Sequence, residues 1–168
     1  IWNADTQLLD CKNLLNGILI NVSTQLLILK YKYPMKNISI FCGAHEGKNP
    51  KYAEAAKSIA GIISKKGINV VFGGGDVGLM KVISDTALDN GVDALGISLR
   101  SLYELELVNP RLKEVVVAET LLDRKDIFMD RSDAFIVLPG GVGSLDELAE
   151  VMASNQLGII NKPIGILN

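Results

Sequence analysis

Between residues 36 and 168, short apolar runs alternate with longer stretches whose apolar positions fall three and four residues apart. Ile38-Ser39-Ile40-Phe41-Cys42 stops at Gly43, and Ile68-Asn69-Val70-Val71-Phe72 stops at Gly73-Gly74-Gly75. Val92 to Ile97, Glu114 to Ala118, Ala134 to Leu138 and Pro163 to Leu167 have the same character. Runs this short, rich in Val, Ile and Phe, predict buried strands. Pro50 to Lys66 puts Tyr52, Ala55, Ala56, Ile59, Ile62 and Ile63 on one helical face, with Pro50 suited to the first turn and Gly67 as the stop. Val77 to Asn90, closed by Asn90-Gly91, predicts a second helix, and Leu121 to Arg131 and Ser144 to Gln156 two more. Ser98 to Lys113 has no clean period and contains Asn109-Pro110; it predicts a loop with room for one helical turn. Strands separated by helices require crossover connections. The predicted fold is therefore α/β: a Rossmann-like, doubly wound, mainly parallel sheet with helices on both faces.

At 168 residues the chain is long enough for one domain with a full core. The formal net charge of −2 creates no field that would draw nucleic acid or an anionic membrane, and 5% aromatic content leaves little for base stacking. Neither nucleic acid nor membrane is an expected partner. The two cysteines, Cys11 and Cys42, make no disulfide framework and no metal-ligand spacing. The expectation is a reducing, cytoplasmic compartment and no bound metal. Asn13 to Leu29 is uncharged, but it is short and too polar for a spanning helix. Residues 1–34 are expected to be an N-terminal extension outside the fold, and 35–168 a single nucleotide-binding domain. A last strand with no helix after it suggests that the C-terminal end of that domain lies beyond Asn168.

Two glycine-rich turns carry the candidate chemistry. Gly73-Gly74-Gly75-Asp76-Val77-Gly78 satisfies G-x-G-x-x-G, yet it follows the second strand of the pattern. The acid about 20 residues on, Asp93, falls inside the next predicted strand, not at its end. That argues against a dinucleotide fingerprint but leaves free backbone N–H groups for a phosphate. The second turn is Pro139-Gly140-Gly141-Val142-Gly143-Ser144-Leu145-Asp146-Glu147, directly behind a strand. Gly140, Gly141 and Gly143 let the backbone approach a ligand. Ser144 with Glu147 also fits a capping box, so Glu147 reads equally as cap and as catalyst. Arg124 has no carboxylate three or four residues away on its helix, which makes it a candidate anion fork. His45, the sole histidine, follows the first strand of the pattern and reads as a solvent-facing loop residue before a functional one; it makes no Ser/His/Asp constellation.

Arg124-Lys125 followed by Pro139-Gly140-Gly141-Val142-Gly143-Ser144-Leu145-Asp146-Glu147 resembles the signature of the LOG (Lonely Guy) family, an Arg-Lys pair and then P-G-G-x-G-T-x-x-E. Phe41-Cys42-Gly43 and Gly73-Gly74-Gly75 with Gly78-Leu79-Met80 match as well, so the likeness runs from about Met35 to Asn168. Such proteins cleave the N-glycosidic bond of nucleoside 5′-monophosphates, cytokinin nucleotides among them, to free base and ribose 5-phosphate. The resemblance implies Arg124 and Glu147 as the catalytic pair. It implies nucleotide contacts from Gly43, Gly74, Gly75, Lys125, Pro139, Gly140, Gly141, Gly143 and Ser144, no cofactor, and a homodimer. It also leaves room for a plain AMP nucleosidase, or for a non-catalytic nucleotide or molybdenum-cofactor carrier on the same fold. Ser144 for threonine, Asp123 for glutamate, Lys81 for glycine and Leu121 for methionine depart from the family pattern.

Overall fold

The computed structural model describes residues 8–10, 35–105 and 107–167. In chain order the strands are β1 (Leu8–Asp10), β2 (Asn37–Phe41), β3 (Asn69–Phe72), β4 (Ala94–Leu99), β5 (Glu114–Ala118), β6 (Ala134–Val137) and β7 (Ile164–Ile166). The helices are α1 (Lys51–Lys65), α2 (Gly78–Asp89), α3 (Arg100–Glu104), α4 (Leu121–Arg131) and α5 (Val142–Gln156). One sheet runs in the order β1-β7-β6-β2-β3-β4-β5, and every neighbouring pair is parallel. Of the N-terminal segment, residues 8–10 pair with Ile164–Ile166 at the sheet edge. Cys11 and the uncharged Asn13 to Leu29 stretch lie outside the described residues, among which no helix is long and apolar enough to cross a membrane.

Both sheet faces are covered, which is why the strands read as nearly continuous apolar runs. On one face, Ala56, Ile59 and Ile63 of α1 and Leu79, Ile83 and Ala87 of α2 pack over Ile38, Ile40, Val70, Phe72 and Ile136. On the other, Phe128 and Met129 of α4 and Val151 of α5 pack over Phe41, Val71, Ile97, Phe135 and Val137. Phe128 meets Phe41 edge-on, at 5.1 Å between ring centroids and 87° between planes.

The larger departures from the sequence expectation are in β4 and α5, while several other ends move by a single residue. β4 starts after Asp93 and runs on to Leu99, because Ser98 and Leu99 still pair with Val117 and Ala118. Asp93 thus sits before the strand, paired with Lys113 at 2.8 Å. The irregular stretch after β4 opens with the short helix α3, in keeping with the expected helical turn. α5 begins at Val142, two residues early, with Gly141 at its N-cap and no side-chain cap. The capping-box reading of Ser144 and Glu147 is overturned: Ser144 is already inside the helix and buried.

The chain winds outward through β2, β3, β4 and β5, then returns to lay β6 on the other side of β2. The strand order therefore reverses between β2 and β6, where diverging connections open a crevice at the carboxyl ends of the strands.

Candidate active site

That crevice is occupied by a cleft of about 580 Å³. The loop after β2 (Gly43, His45, Gly47) forms one wall, and the turn from Pro139 into α5 forms the other. Ile40, Phe41, Leu79 and Met80 supply an apolar side, and Arg124 and Glu147 a charged one. The two loops are tied together where Gly43 N–H donates to the Pro139 carbonyl at 3.2 Å.

Arg124 is placed by a cap. Thr120 opens α4 with its side chain accepting from the Asp123 N–H at 3.1 Å, while the Asp123 carboxylate accepts from the Thr120 N–H at 3.2 Å. This reciprocal cap fixes the helix start. One residue later, Arg124 points across the ends of the strands. Its Nε donates to the Ile97 carbonyl at 2.8 Å, its Nη1 to Glu147 Oε1 at 2.8 Å, and its guanidinium carbon lies 5.0 Å from the Phe128 ring centroid. A methyl group on Gly73 would sit 2.7 Å from Nη2 of Arg124 and 3.0 Å from the Met80 sulfur. Gly73 is therefore the gap through which the guanidinium reaches the cleft.

Glu147 is 9% exposed and one turn into α5. Burial pushes its carboxyl above the ordinary glutamate range, and the Arg124 charge and hydrogen bond oppose that rise without cancelling it. Cys42, on the cleft floor, is pushed up to about 12, by burial first and by the Glu147 charge second. Its thiol is held protonated, as a small apolar group.

The N-terminus of α5 has no acid in its first turn and no capping side chain. Its first N–H groups have no partner within the helix and face an open cleft, the electrostatic setting for an anion. The glycines here differ in purpose. A methyl group on Gly140 would lie 2.1 Å from Ser144 Oγ, whereas one on Gly141 or Gly143 would meet nothing within 4 Å. Packing explains Gly140; it does not explain Gly141 and Gly143.

Of the residues singled out from sequence, Gly43, Arg124, Pro139, Gly140, Gly141, Gly143, Ser144 and Glu147 line the cleft together. Gly74, Gly75 and Lys125 do not line it. Gly74 has φ +82° and packs on the Gly96 backbone, its carbonyl accepting from Asn109 N–H at 2.9 Å. Gly75 bridges Val108. Lys125 pairs with Asp146 at 3.1 Å and Glu150 at 2.8 Å, so it braces α4 against α5. The sequence places Tyr52 only on a helical face, names Leu79 and Met80 only within the family match, and counts Gly73 in the glycine turn without assigning it a contact. Gly73 had a visible signal, being the first residue beyond β3; Leu79 reads as core in any helical pattern.

A protein-family model described as possible lysine decarboxylase matches residues 80–168. Over 137 residues the chain is 40% identical to cytokinin riboside 5'-monophosphate phosphoribohydrolase LOG5 of Arabidopsis thaliana, covering 82% of this chain and 60% of that protein. It is 41% identical over 137 residues to the LOG2 enzyme of the same name and organism, covering 82% and 64%. The chain thus spans about three fifths of the length of these curated relatives. Among solved structures, the molybdenum cofactor binding protein from Rippkaea orientalis aligns with a TM-score of 0.66 at 25% identity, covering 82% of this chain and 78% of that one. The Moco carrier protein of Chlamydomonas reinhardtii aligns at 0.65 and 16% identity, over 80% and 76%, a likeness of fold alone.

Proposed function

The chain belongs to the LOG family, described as possible lysine decarboxylases, and from that premise we propose that it hydrolyses the N-glycosidic bond of N6-modified adenosine 5′-monophosphates to free base and ribose 5-phosphate. The observation that carries the reading is the buried Arg124–Glu147 pair, set beside an uncapped helix N-terminus in one cleft. In this reading the 5′-phosphate sits on the Gly141–Ser144 N–H groups, which brings the ribose over Glu147. As the base departs, positive charge develops on the ribose ring. A carboxylate in a poorly solvated site stabilises that charge more strongly than water does, and it can take a proton from the attacking water. Arg124 favours the ionised form of Glu147 and fixes the carboxylate in one orientation. The apolar side of the cleft, with Leu79 and Met80, suits a hydrophobic N6 substituent on the base.

Gly74, Gly75 and Lys125 then act one layer back, shaping the β3–α2 turn and bracing α5. Leu121 and Leu122 at the start of α4, and Val142 and Leu145 at the start of α5, expose large apolar side chains beside the cleft. They support a homodimer that buries this rim, and the cysteine usage supports a cytoplasmic setting.

A carrier role is the second reading, favoured by the likeness to the Rippkaea orientalis protein. A carrier needs the glycine turns but not the acid. Incubating the protein with AMP and with isopentenyladenosine 5′-monophosphate, and following base and ribose 5-phosphate by chromatography, separates these outcomes. Preference for the modified nucleotide supports the proposal; equal or greater release from AMP marks a general nucleosidase. Nucleotide binding without release from either substrate sinks the hydrolase and leaves the carrier.

A further inference from the structure

Cleavage of a nucleotide's N-glycosidic bond leaves an electron pair on the base, and that pair needs a proton at neutral pH. The hydrolase reading above supplies none. Arginine cannot give one up. That reading already assigns Glu147, 2.8 Å from Arg124, to the ribosyl cation and the attacking water. The Cys42 thiol, pushed up to about 12 by burial, is too weak an acid. The Ser144 hydroxyl and the Tyr52 phenol belong to classes that hold their protons at neutral pH. One further group lines the same cleft and belongs to a class that gives and takes protons near neutrality, the imidazole of His45.

The loop that carries it is fixed. Gly43 N–H is bonded to the Pro139 carbonyl at 3.2 Å. Behind the loop, Gly78 (φ +54°) lies so close that a methyl group on it would fall 2.4 Å from the His45 nitrogen. The backbone of His45 is thus held between α2 and the Pro139–Gly140 turn. Its side chain has no hydrogen-bond or ion-pair partner among the described residues, so it is free for a ligand. The titratable groups around it are Glu46 on its own loop, Tyr52 of α1, Cys42, Arg124 and Glu147. On α2, Lys81 is already paired with Asp76 at 2.5 Å.

We propose that His45 is the general acid of the reaction, handing its proton to the departing base while Glu147 stabilises the ribosyl cation. The inference rests on the hydrolase reading. The C1′–N9 bond breaks with its electron pair going to the base. The imidazolium proton moves onto a purine ring nitrogen, and the base leaves neutral. A water oxygen bonds to C1′ and passes a proton to Glu147, from which it returns to His45 through solvent. Nothing is oxidised or reduced.

The test compares His45→Gln with the unaltered protein on two nucleotides, AMP and N7-methyladenosine 5′-monophosphate. The second carries a cationic base that departs neutral without a proton. His45 is an exposed loop residue, so the variant is expected to fold, and retained AMP binding checks this. The expected result is a fall in kcat on AMP of about a hundredfold or more, with the N7-methyl nucleotide changed only by a few-fold. On AMP the unaltered protein should lose kcat on the alkaline side as the acid is spent, and His45→Gln should lack that limb. Equal losses on both nucleotides, no loss on AMP, or a limb that persists in the variant overturns the assignment. If the N7-methyl nucleotide is not turned over, the limb decides alone. If the unaltered protein releases base from neither nucleotide, the hydrolase reading itself falls, and this inference with it.

Discussion

Arg124 gives Nε to the Ile97 carbonyl and Nη1 to the Glu147 carboxylate, lies against the Phe128 ring, and passes through the gap left by Gly73. Such an arginine is a fixed charge, and its first effect is on Glu147. Burial raises the Glu147 carboxyl in the folded protein, so the folded state holds that proton more tightly than the unfolded chain does. The resulting stability is fully present below the unfolded carboxyl value and is lost as pH rises through the folded one. Removing the arginine charge raises the folded value further. Arg124→Met should therefore be little less stable than the parent under acid conditions, with a deficit that widens with rising pH to about 3 kcal/mol near neutrality. Thermal melts across pH read this, and a deficit independent of pH would contradict it. In activity, the acid limb of kcat/KM should lie above the ordinary glutamate range, and Glu147→Gln should lower kcat by about a hundredfold or more while AMP still binds.

At the scale of elements, α5 shows two glycines under opposite pressures. Gly140→Ala drives a methyl into Ser144 Oγ and to 3.0 Å from Gly43 N, and should destabilise the fold by about 2 kcal/mol. Gly143 lies within the helix with open space where its side chain would be. Gly143→Ala should stabilise by about 0.5–1 kcal/mol while raising KM for the nucleotide. A lowered melting temperature, or a KM left unchanged, would refute that separation. The same helix shows where the sequence was legible. The strands were, because burial on both faces leaves apolar runs such as Ala134 to Leu138 that hardly admit another reading. α4 was placed residue for residue, although its Thr120–Asp123 cap went unnoticed. The start of α5 was misplaced because Ser144 and Glu147 imitate a capping box, and only the packing of Ser144 under Gly140 decides against it. The Arg124–Glu147 contact joins residues 23 apart on different helices, beyond any local periodicity. The family motif brought the two side chains to notice; their ion pair, and the Gly73 gap that admits it, came from the fold.

For the whole molecule, the exposed leucines at the starts of α4 and α5 are the features a monomer does not need. If the proposed homodimer buries this rim, Leu122→Glu combined with Leu145→Glu should yield monomers by light scattering, with both side chains already more than 60% exposed and so little cost to the fold. The position of the cleft has another consequence, one of time. Its two walls hang from β2 and β6, and the hydrogen bond from Asn37 to Asp133 beneath them joins residues 96 apart. The intervening strands and helices can form first, since each βα unit is local, whereas the β2–β6 seam waits for a long loop to close. In refolding, helical circular dichroism should therefore return before nucleotide binding does. On a ribosome the cleft lacks one wall until β6 and the turn after it have emerged, so a growing chain carries the Gly43 loop before there is anything for it to face.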